Sequence, residues 1–435
     1  MNFQKLLKDY FLTNKYSPIL AENIVVKKVL FIGLVFPESV STAAGSRMMQ
    51  LLTLFKQYRY ALFFAGTASE NTHSDNLEAL AVNKTIIALN NSSFDDFIVK
   101  LQPDVVVFDR FISEEQFGWR VAEHCPKALR ILDTEDLHCL RKVRHQAIKR
   151  HEAFEMKDLL SADIAKREIA SIYRCDLSLI ISTYEMKLLT VVFKVGQSLL
   201  YHLPFLLDTI HDKEVENFIP FEERQHFMSI GNFLHAPNVD AVLYLKRVIW
   251  SFIHKQLPSA QLHIYGAYCT PQIRGLHNEK EGFFVKGFVK DAKQVVSKAK
   301  VCLAPLRFGA GIKGKLIEAM QYGTPSITTS IGAEGMHAEM PWNGFIEDAP
   351  EKIAQKAVKL YSDKSVWEKC QQNGIAIVNR YYDKKKLSEP FFKHIEKLKT
   401  TIEEHRNLNF TGAMLQHHLL QSTKYLSKWI EAKNK

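Results

Sequence analysis

Residues 307 to 336 read RFGAGIKGKLIEAMQYGTPSITTSIGAEGM, gathering six of the chain's 19 glycines around two lysines and Glu318. The stretch follows a strand-like run, VCLAPL, and contains a helix-like one, KGKLIEAMQYG, so a turn at Gly309 and Gly311 joins a strand's carboxyl end to a helix start. Glycine lets a ligand approach main chain closely, and the free N–H groups of a helix start attract phosphate. Arg307 and Lys313 flank the turn as cations able to neutralise a diphosphate. On a helical wheel Glu318 falls beside Gly314, Lys315, Gln321 and Tyr322, away from the face carrying Leu316, Ile317 and Met320. A carboxylate there can accept two hydrogen bonds from a ribose diol. The same spacing also describes a solvated helix with a stabilising Lys315/Glu318 pair.

Two further stretches carry residues suited to chemistry. In ILDTEDLHCLRK a strand ends at Asp133, and Asp136 and His138 follow at its carboxyl edge. The alternative is that Asp136 caps the next helix and His138 packs at the surface. In PESVSTAAGSRMMQLL, Gly45 precedes an amphipathic helix bearing Met48, Leu51, Leu52 and Phe55. A small-residue loop at such a turn can lie against a phosphate or sugar, and equally describes an ordinary helix start.

These residues need a scaffold that brings strand ends together. KVLFIGL, YALFFAG, KTIIALN, DVVVFDR, ALRILDT and LSLIIS are apolar runs separated by helix-length segments, as in a parallel sheet covered on both faces. A second series follows: HFMSIGN, a helix near Asn238 to His254, AQLHIYGA, FFVKGFV, VCLAPL and PSITTS. The fold class is α/β, with ligands expected at the carboxyl edges of the sheets. The domain reading is an N-terminal extension over 1–27, a Rossmann-like domain over 28–202, a polar, proline-interrupted linker over 203–224, a second Rossmann-like domain over 225–380, and a basic amphipathic helical tail over 381–435. No period of 20 to 50 residues suggests a solenoid.

With 435 residues the chain exceeds what one hydrophobic core usually supports. Its 46% hydrophobic and 24% charged residues mark a folded globular protein. No apolar run reaches the roughly eighteen residues of a membrane-spanning helix. Lysines and an aspartate interrupt every apolar cluster of the N-terminus, so a cytoplasmic location is expected. The six cysteines have no metal-ligand spacing and read as reduced, small core residues. The formal charge of +10 favours anionic partners such as nucleotide phosphates, acidic lipid headgroups or RNA. The run LRKVRHQAIKR, with five Lys/Arg, reads as a solvated face or as a steering patch for an anionic acceptor. In the tail, Leu415, Leu419, Ser422, Leu426, Trp429 and Ile430 recur at helical spacing, suited to packing on the partner domain or a second subunit, or to peripheral membrane contact at the inner face.

The segment PLRFGAGIKGKLIEAMQYGTPSITTSIGAEG closely resembles the donor-binding signature of GT-B glycosyltransferases of the family 4 (glycosyl transferases group 1) type. SIGNFLHAPNVDAVLYL is similar to that family's opening strand and helix of the second domain, and VKGFVKDAKQVVSKAKVCLAPL to its base-contacting segment, including Gly287, Phe288 and Val289. The first domain is similar through its strand order, its Gly45 loop and TEDLH. The resemblance implies a GT-B fold, two Rossmann-like domains facing across a cleft, and transfer of a sugar from a nucleotide-diphosphate donor with retention at the anomeric carbon. It places the ribose on Glu318, the second glutamate of an E-x7-E pattern whose first position is here Ala310. It also places the Gly45 loop on the donor, and His138 with Asp136 near the transferred sugar. A basic residue is expected soon after Gly231 but is absent, which leaves Arg307 and Lys313 for the diphosphate. No D-x-D triplet occurs, so neither a metal nor another cofactor is expected beside the donor. Ala310 keeps open the alternative of a catalytically weak GT-B protein that binds a nucleotide or partner.

Overall fold

The computed structural model describes residues 26–434, apart from the side chains of residues 419–421, so most of the N-terminal extension and Leu419 of the tail stripe lie outside the described residues. Both strand series form parallel sheets. The first comprises β1 (Lys28–Gly33), β2 (Ala61–Gly66), β3 (Asn83–Ile86), β4 (Val105–Asp109), β5 (Leu129–Asp133), β6 (Leu177–Ile180) and β7 (Leu200–His202), in the order β3-β2-β1-β4-β5-β6-β7. The second comprises β8 (Gln225–Ile230), β9 (Leu262–Tyr265), β10 (Phe283–Gly287), β11 (Ala299–Ala304), β12 (Ser326–Thr328) and β13 (Gly344–Ile346), in the order β10-β9-β8-β11-β12-β13. Central strands such as β4, VVVFD, are buried throughout because helices cover both faces, which is why they lack alternation. The three-residue edge strands β7 and β13 carry too few apolar residues to stand out as runs.

The order reverses between β1 and β4 in the first sheet and between β8 and β11 in the second. The segments that follow these four strands flank the two switch points, where open α/β sheets leave a crevice. After β1 comes the helix Ala43–Gln57, whose N-cap Thr42 accepts from the Gly45 N–H at 2.9 Å and which buries Met48, Leu51, Leu52 and Phe55. After β11 comes the helix Gly314–Gln321, which buries Leu316, Ile317 and Met320. Gly323, with φ +66°, follows its end, as the sequence anticipates.

The chain passes between domains twice, and the two passes touch. Leu207 N–H donates to Tyr382 O at 2.8 Å, and Lys384 N–H donates to Leu207 O at 2.7 Å. Beyond this point the tail packs on the first domain. The helix Lys384–Thr400 sets Phe391, Phe392, Ile395 and Leu398 into the core of the first domain, beside Phe55 and Leu203. Lys384 pairs with Asp208 and Lys386 with Asp383, so these lysines also tie the crossing together. The final helix, Phe410–Lys433, packs on the first domain through its small residues. Ser427 is buried and receives a hydrogen bond from Arg120 at 3.0 Å, whereas Leu426 and Trp429 of the expected apolar stripe are more than half exposed. Small side chains permit the close approach that a Leu/Trp face would block.

Candidate active site

A cleft of about 480 Å³ separates the domains at the carboxyl edges of both sheets. From the first domain it is lined by Ser39–Ala44 at a helix start and by Arg110, Glu135, Asp136, His138 and Arg141. The second domain contributes Gly231, His235, Asn238, Phe288, Val289 and the glycine-rich turn with the start of the helix that follows it. The two helix N-termini meet here: a Cβ on Gly314 would lie 2.7 Å from the Cβ of Ala43. Their unpaired N–H groups and positive dipole ends therefore face one small volume, a setting suited to an anion.

The structure brings together Asp136, His138, Phe288, Val289, Gly309, Ala310, Lys313 and Glu318 of the residues singled out in the sequence. It separates Gly45, Gly287, Arg307 and Gly311 from the lining. Gly45 sits inside the first helical turn, where a Cβ would run into the backbone of Glu38, so its role is to let the loop pass close by. Gly287 ends β10 at φ +77° and turns the chain toward Phe288. Arg307 points away: its Nε donates to Asp240 Oδ2 at 2.9 Å and its guanidinium lies over Tyr244. Gly311 adopts φ +63° with its N–H turned into the first domain.

The cation that sequence reasoning missed is Lys315. Its Nζ donates to Asn238 Oδ1 at 2.8 Å and would lie 2.9 Å from a Cβ on Gly231. The positive charge expected in the loop after Gly231 is thus delivered by the facing helix. Burial lowers Lys315 to about 8, and burial lifts Glu318 to about 7 against the pull of Lys315. Lys313 is also buried, lowered to about 8, and donates to Gly311 O at 2.7 Å. The only signal for Lys315 was its spacing from Glu318, which a surface pair shares.

On the opposite wall, Arg141 from the basic run LRKVRHQAIKR turns inward and grips Asp136 with two bonds of 2.6 and 3.1 Å. Burial would raise Asp136, but Arg141 and His138 reverse this and hold it far below the usual carboxylate range. Asp136 is therefore a fixed anion rather than a free base. His138 Nε2 lies 3.3 Å from Asp136 Oδ1, and burial lowers the imidazole to about 4, so it is neutral at pH 7. His235, lowered to about 4 by burial, faces the same pair. Beneath them Arg47 holds Asp133 with bonds of 2.8 to 3.1 Å, both side chains fully buried. Arg110 (φ +67°) and Glu135 (φ +61°) take left-handed backbone at the strand ends, as residues at ligand sites often do.

Residues 224–363 match the family model of the glycosyl transferases group 1. A stretch of 68 residues is 38% identical to a probable sucrose-phosphate synthase of Beta vulgaris, covering 15% of this chain and 6% of that protein, so the chain aligns with only a small part of its curated relatives. The structure is similar to that of the sucrose-phosphate synthase of Thermosynechococcus elongatus, with a TM-score of 0.62 at 16% identity over 86% of this chain and 100% of that one. It is also similar to the pneumococcal O-GlcNAc transferase GtfA, solved in complex with UDP and GlcNAc, with a TM-score of 0.64 at 12% identity over 86% and 99% of the two chains. Among the described residues no helix is long and apolar enough to cross a membrane. The chain has the GT-B fold, and its second domain is similar to the glycosyl transferases group 1 family.

Proposed function

We propose that the protein is a retaining glycosyltransferase that moves a sugar from a nucleotide-diphosphate sugar to an acceptor entering from the side of the first domain. The observation that carries this reading is the start of the helix Gly314–Gln321, which presents Lys313, Lys315 and Glu318 to a cleft between two Rossmann-like sheets. The ribose diol donates to Glu318. The diphosphate lies across the paired helix N-termini, between Lys315 and Lys313, and the base rests against Phe288 and Val289.

Cleavage of the bond between the sugar and the diphosphate leaves negative charge on the leaving phosphate. Lysines held dry in a closed cleft stabilise that charge as it develops. In a front-face process the leaving phosphate oxygen takes the proton of the acceptor hydroxyl, so the neutral His138 and the Arg141-bound Asp136 serve to orient the sugar. No divalent ion is invoked in this scheme, because the cations of the helix start do the same electrostatic work.

The test is a thermal-shift titration with UDP, GDP, ADP and TDP. Saturation at about a hundredfold the dissociation constant adds about 2.7 kcal/mol to the folded state. One diphosphate should stabilise the protein, and its sugar conjugates are then tested for turnover by release of that diphosphate in the presence of candidate acceptors. Absence of stabilisation by every nucleotide overturns the donor-site reading. UDP is the first choice, since similar folds have been solved with it.

A further inference from the structure

We infer that the first domain shapes the donor turn of the second, with Glu185 and Arg144 as positioning residues in place of a carboxylate at position 310. The inference rests on the donor-site reading of the turn. Four successive residues of that turn are each held by the opposite domain. The Phe308 ring stacks on His145, with centroids 4.3 Å apart and planes 5° from parallel. The carbonyl of Gly309 accepts from Arg144 Nη1 at 2.9 Å. Ala310 is buried in the apolar core cluster that includes Leu137, Leu140 and Leu188 of the first domain. The N–H of Gly311 donates to Glu185 Oε1 at 2.8 Å.

The two polar holds are themselves well anchored. Glu185 Oε1 also accepts from Leu137 N–H at 2.9 Å, so one buried oxygen joins the loop after β5 to the donor turn. Arg144 grips Glu334 with two bonds of 2.8 Å while it holds Gly309, and thereby ties together two segments of the second domain. Gly311 stands at φ +63°, a conformation that the Glu185 bond fixes and that aims the following lysine back across the turn. Ala310, at the edge of this cluster, is part of the same contact.

The consequence is that the donor site is fully formed only while the domains are together. Donor affinity then depends on residues that never touch the donor. Glu185 and Arg144 were not among the sequence candidates, since neither belongs to the donor signature.

The test compares the full-length parent with Glu185→Leu, Glu185→Gln, Arg144→Met and His145→Ala, each checked for folding by its melting curve. Hydrogen exchange in the peptide covering 308–313 is measured without ligand, and UDP affinity by calorimetry. Losing the bond to Gly311 in Glu185→Leu, or the bond to Gly309 in Arg144→Met, should speed exchange and weaken UDP binding by about tenfold. Glu185→Gln keeps an acceptor oxygen for both N–H groups and should restore both readouts, which a merely structural defect would not show. His145→Ala lies at the rim and serves if a buried variant fails to fold; it should speed exchange in the same peptide. Unchanged exchange in the folded variants overturns the inference. A parent that binds no UDP while exchange responds as expected would refute the UDP choice and leave the interdomain hold supported.

Discussion

Glu318→Gln should make the free protein more stable and a poorer nucleotide binder. Burial lifts the Glu318 carboxyl from 4.5 to about 7, so the folded chain holds that proton more tightly than the unfolded chain does. The sign follows from linkage: this contribution is fully present below pH 4.5 and is lost as pH rises toward 7, leaving the ionised form at a cost of about 3 kcal/mol. The side chain is half-buried at the cleft wall, and solvent screening reduces the figure to about 1–2 kcal/mol. Glutamine is uncharged at every pH and escapes the cost. At pH 8 the variant should therefore melt about 2–8 °C higher, given about 2–4 °C per kcal/mol for a domain of this size. At pH 4.5 to 5 the two proteins should melt together, because the parent is protonated there. UDP should bind the variant about tenfold more weakly, since the amide offers the ribose one neutral acceptor in place of a carboxylate. Scanning fluorimetry from pH 4.5 to 8.5 with and without UDP measures both effects. A variant no more stable than the parent at pH 8, or one whose advantage does not grow with pH, refutes the account of Glu318 as a buried, ligand-awaiting carboxylate.

Two further outcomes follow from the same geometry. Arg307→Ala should leave UDP affinity within about twofold, because the guanidinium is committed to Asp240 at an exposed surface pair; calorimetry showing a tenfold loss would return Arg307 to the diphosphate. Arg47→Met should destabilise the protein by about 3–5 kcal/mol in urea unfolding at pH 7, because it strands Asp133 beside Asp109 in a dry site. A loss under 1 kcal/mol would show that the buried pair contributes little to stability.

The contrast between Lys315 and Arg307 shows how far the site was legible. Both are basic residues near a glycine turn, and the sequence favoured Arg307 for its place at the strand end. Only the packing of the helix Gly314–Gln321 against Asn238 aims Lys315 inward, and only Asp240, 67 residues away in sequence, draws Arg307 out. Likewise Arg141 and Arg144 belong to a run of five cations that sequence reads as one surface. The helix His138–Arg150 turns Arg141 onto Asp136 and Arg144 onto Glu334 across the cleft.

By itself the sequence determined the α/β class, most of both strand series and the glycine turn with its helix, and it singled out Lys313, Glu318, Asp136 and His138, which the structure places at the cleft. Those features are local: apolar runs make buried parallel strands, and a glycine turn before an amphipathic helix makes an open N-terminus wherever it lies. Tertiary structure decided the return of the tail into the first domain and the holding of Gly309 and Gly311 by Arg144 and Glu185. These depend on which distant groups meet across an interface. No local periodicity encodes that, because the free energy of a buried charge is set by partners far away in the chain.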